Sequence, residues 1–413
     1  MDNHHHVLII GLVWPEPASS AAGIRLLQLI KCFKEYSWRV SFASAAQQSE
    51  HSANLSQLDV ECNPIDLNSS SFDTFLQSSN PTIVLFDRFV TEEQFGWRVA
   101  EACPTALRVL DTEDLHCLRL ARQKAVKLGL QFSNDYLLNE AVAKREIASI
   151  LRCDLSLIIS EFEISLLIDF FRIDVTLLHY IPLFVESPGV EMATFEERSD
   201  FIFIGNYLHE PNSDAAQYLK LVLWDQMRNK LPHAKLLLYG AYTSQMVLQF
   251  HNEKKGFIVK GRAEDAADVI SRAKVVLAPL RFGAGLKGKL FEAMQNGTPS
   301  VTTNIGAEGM AGDFPWCGFI ADDPIDYVTR AVELYSNKII WLEAQQRGFQ
   351  IMEQRFQQEH FQHSFLEKLL TLHNNIDAHR TKNFLGRMLM HHTLASTKYM
   401  SMWIESKNKK KPD

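Results

Sequence analysis

The stretch from Leu277 to Gly309 holds residue types that could bind a phosphorylated ligand. It reads as a buried strand, a glycine-rich loop and the start of a helix. Glycine lets a backbone turn tightly and approach a ligand closely. The loop glycines are Gly283, Gly285 and Gly288. Lys287 and Lys289 add two positive charges where free N–H groups and the helix dipole already favour an anion. The segment therefore predicts a diphosphate site.

A single carboxylate follows these lysines. Glu292 lies about one turn into the predicted helix, and a carboxylate can accept hydrogen bonds from two neighbouring ribose hydroxyls. A second loop follows at Asn304–Gly309 and contains Gly306. Each feature also has a simpler explanation, because glycines after a strand often form only a turn and two lysines can form a solvated face. In combination they favour a nucleotide-type ligand.

Two common nucleotide-binding classes do not match the sequence. The first predicted strand is not followed by G-x-G-x-x-G, and no G-x-x-x-x-G-K-[ST] occurs anywhere in the chain. These motifs place backbone N–H groups against phosphates in Rossmann dehydrogenases and P-loop NTPases. Both classes are therefore poor explanations of the glycine loop.

Acidic residues and a histidine follow a predicted strand in the first half of the chain. The run Asp111-Thr-Glu-Asp-Leu-His116 would lie at the edge of a parallel sheet that faces a cleft, where it could act as a base or orient a hydroxyl. Asp111 and His116 are the catalytic candidates. The alternative is structural, because Asp and Thr after a strand are good turn and N-cap residues. Arg88 also follows a strand, and pairing with a nearby carboxylate is its simpler interpretation.

Strand-like and helix-like segments alternate along the first half, which predicts a doubly wound parallel sheet. Continuous apolar runs are typical of strands that are buried on both faces. We expect strands at 7–13, 39–43, 82–86, 106–110 and 155–159. We expect helices at 23–36 and, as one long helical region, at 115–151.

The alternation stops near Ile181-Pro182 and restarts at Phe201, which predicts a second α/β half and a cleft between the two. Strands are expected at 201–204, 235–239, 275–280, 300–303 and 318–320, and helices at 214–224, 263–272, from 324 onward and at 339–372. We therefore expect an acceptor-side domain over 1–185, a linker over 186–198 and a donor-binding domain over 199–357. Residues 358–413 should form a C-terminal helix and a poorly patterned tail that pack back on the N-terminal domain.

The composition is that of a globular protein with more than one core. The chain has 413 residues, 46% hydrophobic and 22% charged, which exceeds the usual size of a single core. A formal net charge of −7 gives no reason to expect a nucleic-acid partner. The six cysteines are scattered without a Cys-x-x-Cys pair, which argues against a zinc site and for reduced thiols in the cytoplasm.

The chain ends are not expected to anchor it in a membrane. No apolar stretch reaches the roughly 20 residues that a membrane-spanning helix needs. The lysine-rich end, from Lys407 to Lys411, is expected to be solvated. Peripheral contact with an anionic membrane surface is the second interpretation of this end.

Taken together, these motifs resemble the retaining GT-B glycosyltransferases of the group 1 or family 4-like type. Leu277–Gly309 resembles their donor-site signature, in which a glycine loop and Glu-Ala-Met precede Gly-x-Pro and a strand. The segment after the first strand, which contains Gly23, is similar to their first strand-loop-helix unit. Phe203–Asn206 resembles the opening of their C-terminal domain, and Val259–Arg262 the loop beside the nucleotide base.

The resemblance implies a fold of two Rossmann-like domains that face a central cleft, with a nucleotide sugar as substrate and no metal or other cofactor. The donor-binding residues that it implies are Gly23, Gly205, Asn206, Arg262, Arg281, Gly283, Gly285, Lys287, Lys289, Glu292 and Gly306. The catalytic candidates are Asp111, His116 and Lys289.

Two positions depart from the family pattern. Many relatives carry an earlier glutamate, associated with the donor sugar, that would fall at Gly285. Many also place Arg and Lys just after the position of Gly205, where this chain has Asn206. The resemblance therefore assigns neutralisation of the diphosphate to Lys287 and Lys289, with Arg281 as a further candidate.

The function implied is transfer of a sugar from a nucleoside-diphosphate sugar to a hydroxyl of a glycan or lipid-linked acceptor, with retention, in glycan, polysaccharide or glycolipid biosynthesis. Two alternatives stay open. A non-catalytic nucleotide-sugar-binding partner of a transferase would explain the missing glutamate at Gly285. A nucleotide-sugar epimerase of the same architecture would need no acceptor.

Overall fold

The computed structural model describes residues 5–185 and 193–409, without the side chains of residues 392–395. Within these ranges the chain forms two sheets whose strands are all parallel, each with helices packed on it. The predicted doubly wound α/β fold is confirmed. Each sheet separates two clusters of buried apolar side chains, as expected for strands that are apolar on both faces.

The N-terminal sheet has the strand order β3-β2-β1-β4-β5-β6-β7. Its strands are β1 (His6–Gly11), β2 (Arg39–Ser44), β3 (Glu61–Pro64), β4 (Ile83–Asp87), β5 (Leu107–Asp111), β6 (Leu155–Ile158) and β7 (Leu178–Tyr180). Its helices are α1 (Ala21–Glu35), α2 (Ser71–Ser79), α3 (Arg88–Ala102), α4 (His116–Lys127), α5 (Asp135–Leu138), α6 (Ala141–Arg152) and α7 (Glu161–Ser165). The central strand β1 is fully buried, and its Ile9 pairs with Phe42 and Leu85 on either side.

The C-terminal sheet has the order β10-β9-β8-β11-β12-β13. Its strands are β8 (Ser199–Ile204), β9 (Leu236–Tyr239), β10 (Phe257–Gly261), β11 (Ala273–Ala278), β12 (Ser300–Thr302) and β13 (Gly318–Ile320). Its helices are α8 (Glu210–Tyr218), α9 (Trp224–Lys230), α10 (Gln245–Leu248), α11 (Ala266–Arg272), α12 (Gly288–Gln295), α13 (Asn304–Ala307), α14 (Pro324–Ser336) and α15 (Lys338–Arg355). As its sequence suggests, α14 is capped by Asp323, whose carboxylate accepts from two backbone N–H groups at 2.9 Å.

The long helix expected at 115–151 is three helices, α4 to α6. Helix α4 ends at Lys127, and Gly129 just beyond it has φ of +66° and donates its N–H to the Val126 carbonyl. A glycine in this left-handed conformation terminates a helix. The apolar periodicity resumes in α6, which explains why the sequence pattern looked continuous.

Four N-terminal elements have no counterpart in the sequence expectations: β3, α2, α3 and β7. Strand β3 lies at the sheet edge, and its four residues are exposed or half-buried. An edge strand of this length has no continuous apolar run, so hydrophobic pattern does not reveal it.

Most of the expected linker, residues 186–192, lies outside the described residues. Its last residue, Arg198, is buried and anchors the second domain. The guanidinium donates to the Thr298 hydroxyl at 2.5 Å and to the Asn296 carbonyl at 2.9 Å, and it lies over the ring of Trp341. Strand β8 begins directly after it.

The chain returns to the N-terminal domain after α15. The Val185 N–H donates to the Phe356 carbonyl at 2.8 Å and the Gln358 N–H to the Val185 carbonyl at 3.1 Å, so the two crossing segments pair. Residues 362–409 form α16 (Gln362–Asn374), α17 (Ile376–Lys382) and α18 (Phe384–Lys409). The sequence predicted a poorly patterned tail after one closing helix, but residues 376–409 form two further helices. Phe365 and Leu369 of α16 complete a core of the N-terminal sheet.

No helix within 5–185 and 193–409 is both long and apolar enough to cross a bilayer. All six cysteines have free thiols.

Candidate functional site

A cavity of about 440 Å³ lies between the two domains, at the carboxyl ends of their strands. This is where open α/β sheets bind ligands. The loop 17–22 and the segment after β5 form one side, and the loop 282–289 with the start of α8 forms the other. The expected site residues that line it are His116, Gly205, Asn206, Arg262, Gly283, Gly285, Lys287, Lys289 and Glu292.

The N-termini of two helices meet in this cavity. A Cβ placed on Gly288, the first residue of α12, would lie 2.6 Å from the Cβ of Ala21, the first residue of α1. The first N–H groups of each helix have no partner within the helix, and each helix start carries partial positive charge. The two helices belong to different domains. Their approach therefore concentrates positive electrostatic potential at the cleft between the domains.

Lys289 places an ammonium group in the same region. Its Nζ donates a hydrogen bond to Asn212 Oδ1 and lies 4.5 Å from the centre of the Phe203 ring. Asn212 is itself fixed, since its Nδ2 donates to the Asn206 carbonyl at 2.7 Å. Burial lowers the pKa of Lys289 to about 7, and the nearby Glu292 carboxylate opposes this shift. A bound anion would favour the charged form.

Lys287 is also buried, with 7% of its surface exposed. Its Nζ donates to the Gly285 carbonyl at 2.6 Å, which turns the ammonium group back over the loop. Burial lowers the pKa of Lys287, whereas the carboxylate of Glu308 raises it. The two lysines therefore flank the start of α12.

Glu292 lines the cavity one turn farther along α12. The side chain is half-buried, and burial raises its pKa to about 7, with Lys289 opposing the shift. Arg262, at the end of β10, lines the same part of the cavity. A hydroxyl-bearing group bound beside the two lysines would lie within reach of a carboxylate.

The N-terminal wall carries His116, Asp114 and Arg119. Asp114 Oδ2 accepts a hydrogen bond from Arg119 Nε at 2.6 Å, and Asp114 Oδ1 lies 3.4 Å from His116 Nε2. Burial alone would raise the pKa of Asp114, but the positive charge of Arg119 holds it below its usual range. Burial lowers the pKa of His116 to about 4. His116 is therefore a neutral imidazole at pH 7, beside an ionised carboxylate.

His209 faces this wall from the C-terminal domain and also lines the cavity. Burial lowers its pKa to about 4, the charge of Asp114 opposes this, and Arg119 adds to it. A second neutral imidazole therefore lies beside Asp114. Neutral imidazoles can each donate and accept one hydrogen bond, which suits the recognition of hydroxyl groups.

The structure places Asp111 away from the cavity. Its carboxylate is 1% exposed and accepts hydrogen bonds from Arg25 Nε at 2.9 and 3.1 Å. Arg25 also donates to the Ile181 carbonyl at 2.5 Å. The strand-end carboxylate thus holds α1 and the segment after β7 together, which is the structural alternative raised by its position.

Three expected donor-binding residues also lie outside the cavity lining. Arg281 turns outward, and its Nε donates to Asp214 Oδ2 at 2.9 Å. Gly23 lets α1 pack on the backbone of Glu16, because a Cβ there would lie 2.5 Å from the Glu16 carbonyl carbon. Gly306 packs against Thr302 Oγ1, which would lie 1.9 Å from a Cβ.

Gly285 is the position at which the family resemblance would place a glutamate, and its surroundings leave no room for a side chain. Its φ is +61°, and a Cβ would lie 2.9 Å from the Cβ of Asp114 in the opposite domain. The Gly285 N–H donates to Glu163 Oε1 at 2.8 Å, and this oxygen also accepts from the Leu115 N–H at 2.9 Å. Asp114 therefore takes the space beside the loop that a side chain at Gly285 would need.

Five residues of the site or its support were not candidates individually on sequence grounds: Asn212, Asp114, Arg119, His209 and Glu163. Asp114 belongs to the acidic run that the sequence did indicate, and His209 and Asn212 follow the strand-loop that opens the second domain. Glu163 follows the last N-terminal strand, in a segment whose sequence predicts a helix start that faces the cleft. Arg119 carried no distinguishing signal, since helix surfaces commonly bear such residues. Within the described ranges, no group of three or more His, Cys, Asp or Glu side chains is arranged to hold a metal.

Comparison with known proteins agrees with this geometry. Residues 198–337 match the family model of glycosyl transferases group 1. No curated protein sequence matches the chain significantly.

Similar solved structures share the fold at low sequence identity. HepE from Anabaena, in complex with UDP-glucose, is 14% identical with a TM-score of 0.66 and is matched over 89% of this chain and 100% of its own. Sucrose-phosphate synthase from Thermosynechococcus elongatus is 13% identical, with a TM-score of 0.64 over 89% and 99%. The pneumococcal O-GlcNAc transferase GtfA, with UDP and GlcNAc, is 12% identical, with a TM-score of 0.63 over 90% and 99%. This chain therefore has the GT-B fold, and its residues 198–337 match the glycosyl transferases group 1 family model.

Proposed function

We propose that the protein transfers a sugar from a UDP-sugar to an acceptor hydroxyl. One observation carries this proposal: a single cavity holds two helix N-termini and two buried lysines, with Glu292 one turn away. The helix N-termini and the lysines suit a diphosphate, and the carboxylate of Glu292 suits the hydroxyls of a ribose. The group 1 family match and the UDP complexes of HepE and GtfA support a nucleotide-sugar donor of this kind.

In this proposal the donor lies along the start of α12. The diphosphate accepts hydrogen bonds from the first N–H groups of α12 and from Lys289, the ribose hydroxyls donate to Glu292, and the base lies towards Arg262. The sugar then points across Gly285 towards His116. The acceptor enters from the N-terminal side of the cavity.

The reaction breaks the bond between the anomeric carbon and the phosphate oxygen, and the electron pair leaves with the diphosphate. The acceptor oxygen bonds to the anomeric carbon from the same face, which gives retention, and the departing diphosphate takes its proton. The helix starts and the two lysines stabilise the charge that develops, without a metal. With a pKa near 4, His116 is a weak base, so we assign it the orientation of a hydroxyl.

The acceptor that we propose is a hydroxyl of a glycan or of a lipid-linked sugar, in glycan, polysaccharide or glycolipid synthesis. Six free thiols support a reducing, cytoplasmic compartment. Contact of the lysine-rich C-terminal end with a membrane stays a prediction, and residues 410–413 lie outside the described residues.

The test compares UDP and uridine as ligands, in the presence of a chelator. Calorimetry should show that Glu292→Ala lowers the affinity for both ligands by about tenfold. Both ligands contain the ribose, and the variant loses a hydrogen bond to a charged group. Lys289→Ala should weaken only UDP, and should reduce sugar transfer by a factor of about a hundred because charge stabilisation is lost.

The matched control is Glu343→Ala, since Glu343 is an exposed carboxylate on α15 that pairs with Arg347. It should leave all affinities unchanged. Equal UDP binding by wild type and Glu292→Ala would contradict the donor site. UDP-sugar binding with no transfer or hydrolysis would instead support a non-catalytic partner.

A further inference from the structure

A second cavity lies on the back of the N-terminal domain, with a volume of about 410 Å³. It is enclosed by the starts of β5 and β6, the end of α6 and the first half of α18. Arg108 and Asp154 line it from the amino ends of these strands. The cavity between the two domains, called the nucleotide cavity below, lies at the carboxyl ends of the strands. The two cavities are therefore at opposite ends of the strands of the N-terminal sheet.

The lining of the second cavity has an excess of positive charge. Its arginines are Arg108, Arg152, Arg380 and Arg387, and Asp154 is the one carboxylate in the described lining. Two of the arginines are neutralised. Arg152 Nε donates to Glu92 Oε1 at 2.8 Å, and Arg380 donates to both oxygens of Asp154 at 2.8 and 2.7 Å. Arg108 shares Asp154 with Arg380, at 3.7 Å, and Arg387 has no ion pair among the described residues.

The charge of Arg108 is only partly compensated by Asp154, because other donors occupy this carboxylate. Asp154 Oδ2 already accepts from the Arg108 backbone N–H at 2.8 Å and from Arg380, so Arg108 Nε stays 3.7 Å away. This nitrogen is buried and makes no hydrogen bond within residues 5–185 and 193–409. Arg108 Nη1 donates to the sulfur of Met390 at 3.5 Å. A buried guanidinium nitrogen without a hydrogen bond is costly, and a bound anion would supply the missing acceptor.

The helix that carries Arg387 is fixed against the domain. Asn383 Nδ2 donates to the Leu151 carbonyl at 2.8 Å, and Asn383 Oδ1 accepts from the Gly386 N–H at 2.9 Å. A Cβ on Gly386 would lie 2.1 Å from the Leu151 carbonyl oxygen, so α18 begins in close contact with α6. Arg387 is exposed at the rim, and its long side chain can turn towards the cavity.

We propose that the second cavity binds the phosphate group of a phosphate ester through Arg108 and Arg387. Arginine donates two parallel hydrogen bonds to phosphate oxygens, which suits two guanidiniums that face one cavity. Ala100, Pro104 and Leu151 provide an apolar wall for the organic part of the ester. A soluble phosphorylated compound and a phospholipid headgroup share this chemistry.

The experiment measures pyrophosphate binding by calorimetry in three proteins. Wild type should bind at two sites, one in each cavity. Lys289→Ala should lower the affinity of the nucleotide cavity for pyrophosphate and should leave the affinity of the second site unchanged. Arg387→Glu should lose the second site, with affinity reduced by about tenfold or more because an attractive charge becomes repulsive.

The matched control is Lys144→Glu, which makes the same charge change at an exposed position of α6. It should leave both sites intact, and circular dichroism checks the folding of each variant. Two sites of unchanged affinity in Arg387→Glu would overturn the proposal, as would a complete loss of pyrophosphate binding in Lys289→Ala.

The source of the ester is decided by vesicle flotation with and without phosphatidylglycerol. Retention on the anionic vesicles that Arg387→Glu abolishes and Lys144→Glu preserves identifies a lipid headgroup. Pyrophosphate binding at the second site without vesicle retention identifies a soluble ester.

Discussion

At the scale of single residues, the protonation of Lys289 should make the affinity for UDP depend on pH. Its pKa of about 7 arises because burial disfavours the ammonium form, and only the ammonium form attracts a diphosphate. The affinity for UDP should therefore be greatest below this pKa and should fall as pH rises through it. In Lys289→Arg the charge persists, because arginine stays protonated, and the fall should become shallower. Ionisation of UDP itself is common to both proteins, so calorimetry of the two across pH isolates the lysine. Identical profiles would show that Lys289 does not meet the diphosphate.

At the scale of elements, the loop from β11 to α12 contains a matched pair of glycines. Gly285 has φ of +61° and faces Asp114, whereas a Cβ on Gly283 would meet its nearest neighbour at 3.6 Å, an ordinary distance. Gly285→Ala should destabilise the protein by about 1–2 kcal/mol, the usual cost of a left-handed non-glycine residue, and should weaken UDP. Gly283→Ala should change neither quantity by much. Urea unfolding and UDP titration of the two variants measure this, and equal effects would mean that the loop conformation is not set by Gly285.

At the scale of the whole molecule, Arg122 joins the two domains. Its guanidinium donates to both oxygens of Glu308 at 2.8 and 2.7 Å and to the Gly283 carbonyl at 2.9 Å. Arg122→Gln should open the cleft, which would raise the radius of gyration in small-angle scattering and increase hydrolysis of the donor by admitted water. Arg145→Gln is the control, since Arg145 makes a similar pair with Glu93 inside one domain. The idea fails if both variants scatter like wild type.

The sequence indicated much of the donor side of the site because that side is local in the chain. Gly283, Gly285, Lys287, Lys289 and Glu292 lie within ten consecutive residues, and all of them line the cavity. A strand, a glycine loop and a helix that follow one another in the chain bring these residues to one end of the sheet. The same locality made Asp323 recognisable as a helix cap.

The supporting residues were not accessible in this way, because each depends on a partner far along the chain. Asn212 holds Lys289, and Glu163 holds Gly285 from the other domain. Nothing in the residues around Asn212 or Glu163 signals these partners. The edge strand β3 was missed for a related reason, since its short, half-exposed pattern carries no apolar signal.

The sequence by itself determined the two α/β halves and the residues of the donor loop. Buried strands and helix starts can be predicted from the local order of apolar and polar residues. Only the tertiary structure decided which strand-end carboxylate reaches the cleft. Asp111 and Asp114 are three residues apart and chemically alike. Asp111 forms an ion pair with Arg25, whereas Asp114 faces the cavity beside Gly285. The choice between them is made by where α1 and the second domain pack, because burial and pairing of a charge depend on the whole fold and not on its neighbours in sequence.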